Sequence, residues 1–304
     1  MGAPDALTGM TTISRGTPAG TGRSPLFCDP ALAARIERAE VELIAQGNAA
    51  ASRRRPPGEA VGFVLPLAGG VASFAEDGSP LNKVAGLGFG VVPTANDLAE
   101  VERAFASRGA PVQAEVATLA DPAVADLLTG RGYRLVSFEN VLGRALDGAH
   151  RTVTPPGIEI RTSGQDAFDQ WLEVMADGVA VSDTEGVAAH EEFTREVLLG
   201  AMRDLAAAVG VRRYGAWRDG VFAGGASLRI SGDIAQFGGA ATVPAHRRRG
   251  IQSALLAARL ADATAAGCEV AVITTQPGSK SQHNAQRSGF DLLYTRAILV
   301  REPA

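Results

Sequence analysis

The chain has 304 residues, 46% of them hydrophobic and 20% charged, with a formal net charge of −4. That apolar content at that length can bury sizeable cores, which excludes wholesale disorder, and the acidic balance argues against a main role in coating nucleic acid or anionic membrane. Two cysteines, Cys28 and Cys268, are too few for a disulfide scaffold or a cysteine-rich zinc site, and nothing approaches the roughly 18 unbroken apolar residues of a membrane span.

Residues 1–25 are rich in Gly, Thr, Ser and Pro and lack the apolar core of a secretory signal, so they read as a floppy tail on a cytoplasmic protein. A helix is predicted from Pro30 to about Ala51 and is stopped by the run Arg53 to Gly58. Gly62–Leu65 and Val84–Val92 read as strands. Thr94 caps a helix over Ala95–Arg108, with Leu98, Val101 and Phe105 on one face. A strand over Val112–Thr118, a helix from Asp121 to Leu128 and a strand over Tyr133–Leu142 complete the first half. The polar, proline-containing stretch Asp147–Gly157 reads as a linker.

The second half begins with a strand at Ile158–Arg161 and helices over Asp166–Ala176 and His190–Val209. A hairpin joins Arg213–Trp217 to Val221–Arg229 through Arg218-Asp219-Gly220. Then come a strand over Asp233–Val243, a helix over Arg249–Ala266, an apolar strand at Glu269–Thr275, a short helix at Ser279–Arg287 and a last strand at Asp291–Val300. The domain reading is a tail at 1–25, a first domain at 26–147, a linker at 148–157 and a second domain at 158–304.

The halves rhyme. Gly109 to Gly132 spans 23 positions and Gly267 to Gly289 spans 22, whereas Pro93 to Gly109 spans 16 and Pro244 to Gly267 spans 23. The first half is therefore short where the second carries His246-Arg247-Arg248-Arg249-Gly250-Ile251-Gln252. This reads as an internal duplication in which one copy has lost a loop. The alternative is two unrelated α/β halves with common punctuation.

That loop is the motif with chemistry in it. A strand ends at Val243, Pro244 breaks the ladder, and arginines and Gly250 lead into an apolar helix. A helix start presents unpaired N–H groups and partial positive charge, which suit a phosphate or pyrophosphate, and Gly250 lets the backbone come close. The plain alternative is a solvated basic turn. The segment lacks the Gly-Lys-Ser/Thr ending of a P-loop and has too few glycines for a dinucleotide fingerprint.

Arg247-Arg248-Arg249-Gly250-Ile251-Gln252 after Val243-Pro244, with Asn284 to Phe290 farther on, resembles the coenzyme-binding signature of the GCN5-related N-acetyltransferase (GNAT) superfamily. Gln252 stands where a small residue is usual. The resemblance covers 151–304 well, and residues 28–147 look like a diverged copy without the pyrophosphate loop. It implies an α/β (α+β) fold of two GNAT-like mixed-sheet domains in tandem, each a twisted, mostly antiparallel sheet flanked by helices. It also implies acetyl transfer from acetyl-CoA, as co-substrate and without a metal, to a small cationic amine by direct attack in a ternary complex.

By the same resemblance, Ala241, Thr242, Val243, Arg247, Arg248, Arg249, Gly250, Ile251, Gln252, Ser253, Asn284 and Arg287 meet the coenzyme, and the Val243 backbone serves the oxyanion. The tyrosine that protonates the leaving thiolate in many members is replaced by Ala285; Ser281, His283, Asn284 and Tyr294 are its unassigned substitutes. The stretch Asp166–Glu196 carries nine carboxylates, and Asp183 and Glu185, in its expected loop, are the candidates for the base or for acceptor binding. Cys268 reads as a small core residue. A coenzyme-binding sensor or interaction module without catalysis is the competing function; nucleic-acid and membrane partners are not expected, and oligomeric state, homodimer included, is open.

Overall fold

The computed structural model describes residues 24–56, 61–148, 155–180, 186–187 and 190–303. Helix α1 (Pro30–Arg54) begins where Asp29 accepts a hydrogen bond from the Leu32 amide and Pro30 fills the first turn. Strands β1 (Phe63–Leu67) and β2 (Gly70–Phe74) form a hairpin around Ala68-Gly69, both with positive φ; the sequence reading had found only the first of them. β3 (Lys83–Ala85), α2 (Ala95–Ala106), β4 (Val112–Ala117), α3 (Pro122–Gly130) and β5 (Arg134–Ala145) follow. The strand expected to reach Val92 stops at Ala85, because Gly86 and Gly88 turn the chain with φ of 77° and 82°. A Cβ on Gly86 would run into Val41 Cγ2 of α1, so only glycine fits there.

The second half contains β6 (Ile158–Thr162), α4 (Phe168–Ala180), α5 (Arg195–Ala206), β7 (Val211–Arg218), β8 (Val221–Ser231), β9 (Ile234–Gln236), β10 (Ala240–Thr242), α6 (Ile251–Ala265), β11 (Val270–Thr275), α7 (Lys280–Arg287) and β12 (Asp291–Arg301). α5 starts at Arg195 rather than His190, because Thr194 caps it by accepting from the Val197 amide. The strand expected over Asp233–Val243 is two strands, β9 and β10, parted at Gly238-Gly239.

Among the described residues twelve strands join one mixed sheet, in the order β1-β2-β3-β4-β12-β5-β11-β9-β8-β7-β6, with β10 pairing β8 off this path, and only β3/β4 and β9/β11 pair in parallel. The centre shows a reciprocal exchange: the last strand of each half, β5 or β12, lies between the other half's last two strands. The two half-sheets thus close on each other.

Side chains alternate between the two faces of this sheet. Val116, Leu142, Ala235 and Ala271 join the cores under α2, α3, α6 and α7, while their neighbours Ala117, Val141, Ile234 and Val270 join the core under α1. α4 packs on that second face through Trp171, Leu172 and Met175 against Phe222 and Ala241. No helix among the described residues is long and apolar enough to cross a membrane.

Candidate active site

The sheet comes apart where β9 gives way to β10 beside β11. β9 pairs with β11 over Ile234–Gln236 and Val270–Val272, and the Phe237 amide adds a last bond to the Val272 carbonyl at 2.8 Å. Beyond it, β10 pairs only with β8. The cause is a bulge: the Ser227 amide of β8 is shared between the carbonyls of Gly238 and Gly239, at 3.3 and 3.1 Å. Ile273–Thr275 of β11 therefore have β5 on one side and, among the described residues, no strand on the other.

A buried arginine that sequence reasoning missed holds this divergence point. Arg259, two turns into α6, donates through Nη1 to the carbonyls of Ser227 (3.0 Å) and Gly238 (3.3 Å) and through Nε to Leu255, with its guanidinium 4.7 Å from the centre of the Phe237 ring. Burial pulls its pKa down to about 10. Its place in an apolar helix gave no signal, since the carbonyls its Nη1 holds belong to other segments of the chain.

The loop after β10 is built as the sequence suggested, in finer detail. Pro244–His246 forms a 3₁₀ turn, Arg248 takes a left-handed φ of 58°, and Gly250 takes one of 84° as the N-cap of α6. No side chain caps the helix, so the first-turn amides of Ile251, Gln252 and Ser253 are left for another acceptor. Arg248 and Arg249 are exposed beside them. A Cβ on Gly250 would lie 2.9 Å from Pro155 Cγ.

Three expected coenzyme residues have other tasks. Arg247 donates to the carbonyls of Thr242 (3.2 Å) and Gly178 (2.8 Å), tying the end of α4 to β10. Gln252 donates to Thr242 Oγ1 at 3.0 Å, which folds this large side chain back onto β10. The Val243 amide, expected at the oxyanion, donates instead to the Ala223 carbonyl at 3.0 Å. Alternation along an antiparallel pair then turns the Thr242 amide away from β8. α4 comes close there because residue 178 is glycine; a Cβ would lie 2.6 Å from Ala241 Cβ.

The first half lacks the free helix start. The start of α2 is closed by a capping box: Thr94 Oγ1 accepts from the Asp97 amide, and the Asp97 carboxylate accepts from the Thr94 amide. An anion there would meet a carboxylate in place of free amides. Leu87, 1% exposed, packs into the first-half core just after β3.

Residues 181–290 match the Acetyltransferase (GNAT) family. This segment is a GNAT-family domain. Solved structures extend the likeness in fold to nearly the whole chain. A GCN5-related N-acetyltransferase from Kribbella flavida is 19% identical over 90% of this chain and 96% of its own, with a TM-score of 0.61. A tandem GNAT protein from the clavulanic acid biosynthesis pathway is 16% identical over 92% and 98%, with a TM-score of 0.57. A GCN5-related N-acetyltransferase from Sphaerobacter thermophilus is 16% identical over 92% and 94%, with a TM-score of 0.53. No curated protein matches the sequence.

Within the GNAT domain the expected acid positions divide. Asp183 and Glu185 lie outside the described residues. Glu173 and Asp177 pair with Arg195, and Asp169 with Arg203, all on exposed surface. His190 reaches across to the first half, with Nε2 3.0 Å from Gln113 Oε1 on β4. Ala285 is 2% exposed and belongs to the core under α6, so α7 presents no ionisable group from that position. Asn284 is half-buried, and Arg287, Ser281 and His283 are exposed. Tyr294 points to the opposite face, where its hydroxyl donates to Glu37 Oε1 at 2.7 Å, so it is removed from the candidates. Cys268 is buried in the same core as Ala285, and burial raises its thiol pKa.

A polar group that the sequence did not suggest stands at the end of β11. Asn140 of β5 accepts from Thr295 Oγ1 (2.9 Å) and donates to Gln282 Oε1 on α7 (3.3 Å), and Gln282 also accepts from the Gly278 amide (2.7 Å). Thr275 lies directly across from Asn140.

Proposed function

We propose that the chain is an acetyl-CoA-dependent N-acetyltransferase whose C-terminal half does the chemistry, transferring acetyl to a small cationic amine by direct attack. The observation that carries this reading is the uncapped start of α6, with left-handed residues at Arg248 and Gly250, next to the opening between β10 and β11. Amides aimed from a helix start bind a diphosphate without needing a particular side chain. Exposed Arg248, Arg249 and Arg287 add charge-assisted contacts. A slender thioester arm then has the opening in the sheet to enter.

Acetyl-CoA, as substrate, supplies the acyl group. The protein's part is to orient the thioester against the amine and to donate to the carbonyl oxygen as it becomes an oxyanion. With the Val243 amide tied into the ladder, the Thr242 amide is the donor this geometry offers. Asp183 and Glu185 remain the candidates for attracting the ammonium group and accepting its proton. The first half contributes β5 as one wall of the site.

The test is thermal unfolding with acetyl-CoA, followed by thiol release across a panel of amines. Acetyl-CoA should raise the unfolding midpoint, and Gly250→Asp, which places a carboxylate and a clashing Cβ at the amides, should abolish the rise. Buried Ala285 favours a second reading, a coenzyme-binding sensor without turnover. Stabilisation by acetyl-CoA with no thiol release to any amine would decide for it.

A further inference from the structure

A buried hydroxyl without a partner is a cost unless something binds it. Thr275 is 5% exposed, and its Oγ1 makes no hydrogen bond among the described residues. Of the buried hydroxyls in that condition, it alone sits on a strand lining the opening. Its neighbours do not need it, because Asn140, Gln282, Thr295 and the Gly278 amide satisfy one another. Valine has nearly the same shape and would fit this position without that cost.

Its direction matters. Val270 and Val272 face α1, whereas Ala271 and Ile273 pack into the core under α6 and α7. Thr275 therefore turns to the α6 and α7 side, the side on which the amides at the start of α6 lie.

We propose that the Thr275 hydroxyl is the hydrogen-bond donor to the sulfur that leaves when the thioester breaks. This rests on the coenzyme reading above. In the step, the amine nitrogen bonds to the acetyl carbon, the carbon–sulfur bond breaks, and its electron pair stays on sulfur as thiolate. The proton lost by the amine goes to the general base and from it to solvent. Thr275 keeps its own proton and shares it with the thiolate, so the charge on sulfur is met by a fixed, dry donor.

CoA itself is the probe, so no acceptor need be known. The pH dependence of alkylation of the bound thiol reports the pKa of that thiol. In the wild-type protein the bound thiol should titrate below free CoA. Thr275→Val should move it upward by on the order of one pH unit, a tenfold drop in thiolate at a fixed acidic pH. Thr275→Ser should restore it. Without CoA, Thr275→Val should unfold at the wild-type temperature or above, because it removes an unpaired buried hydroxyl; Thr275→Ala serves for the titration should valine fail to fold. A bound thiol that titrates alike in wild type and Thr275→Val overturns this proposal alone. No stabilisation by CoA overturns the coenzyme reading and this proposal with it.

Discussion

Glu139 and Arg296 face each other across β5 and β12, with Oε2 3.8 Å from Nη1, at positions the internal repeat makes equivalent. Glu139 lies seven residues after Gly132, and Arg296 seven after Gly289. The two positions that the spacing of the repeat makes equivalent thus carry opposite charges. Around them lie Glu37 and Glu40 of α1, Lys83 of β3 and Glu115 of β4, with Arg296 only 2% exposed and bonded to Glu37. Opposite signs let the two strands approach without two like charges meeting.

Burial and the neighbouring Glu115 carboxylate push the Glu139 carboxyl up to about 7, while Lys83 and Arg296 pull the other way. A carboxyl raised in the folded state favours folding while it is protonated, and that contribution fades as pH rises from its ordinary value of about 4.3 through about 7. Glu139→Gln should therefore raise the unfolding midpoint at pH 8 and change it little at pH 5. Thermal melts of both proteins at the two pH values check this; a variant less stable at pH 8 would show that the pair with Arg296 outweighs the burial.

Exchange of β5 and β12 makes the halves interdependent. Residues 158–304 made alone would leave β11 and β12 without β5 between them and β12 without β4. Unpaired apolar edges aggregate. Either half expressed alone should be insoluble or unfolded, and co-expression of 1–147 with 158–304 should recover a soluble pair. Circular dichroism and size-exclusion chromatography are the measurements, and a cooperative melt from the isolated second half would refute the expectation.

The two helix starts should respond differently to mutation. Thr94→Ala removes the cap of α2 and should cost about 1 kcal/mol of stability while leaving stabilisation by acetyl-CoA intact. Arg247→Ala removes the tie between α4 and β10 and should weaken acetyl-CoA binding. Comparing the ligand-induced shift in each variant separates them: equal shifts would mean that Arg247 only adds stability.

Arg259 should matter twice. Arg259→Leu removes a buried donor from the Ser227 and Gly238 carbonyls at the bulge, for which a loss of about 1–3 kcal/mol is expected, and it should also reduce binding of acetyl-CoA by releasing the point where β10 diverges. Arg259→Lys can reach fewer carbonyls and should fall between. Denaturant melts give the first quantity and titration with acetyl-CoA the second.

Much of this protein was legible from local rules. Thr94 and Asp121 announce helix starts because a capping side chain bonds amides within its own turn, whereas the Thr194 cap of α5 was passed over. Gly250 announces the start of α6, which it enters with a left-handed φ of 84°. The repeat of Gly109–Gly132 in Gly267–Gly289 foretold two related halves. What local rules could not give is who sits beside whom. The exchange of β5 and β12, the carbonyls gripped by Arg259, the ladder bond that occupies Val243 and the unpaired hydroxyl of Thr275 each depend on residues far away in the chain. Hydrogen bonds within a turn follow from sequence spacing, whereas strand register and burial follow from how the whole sheet closes.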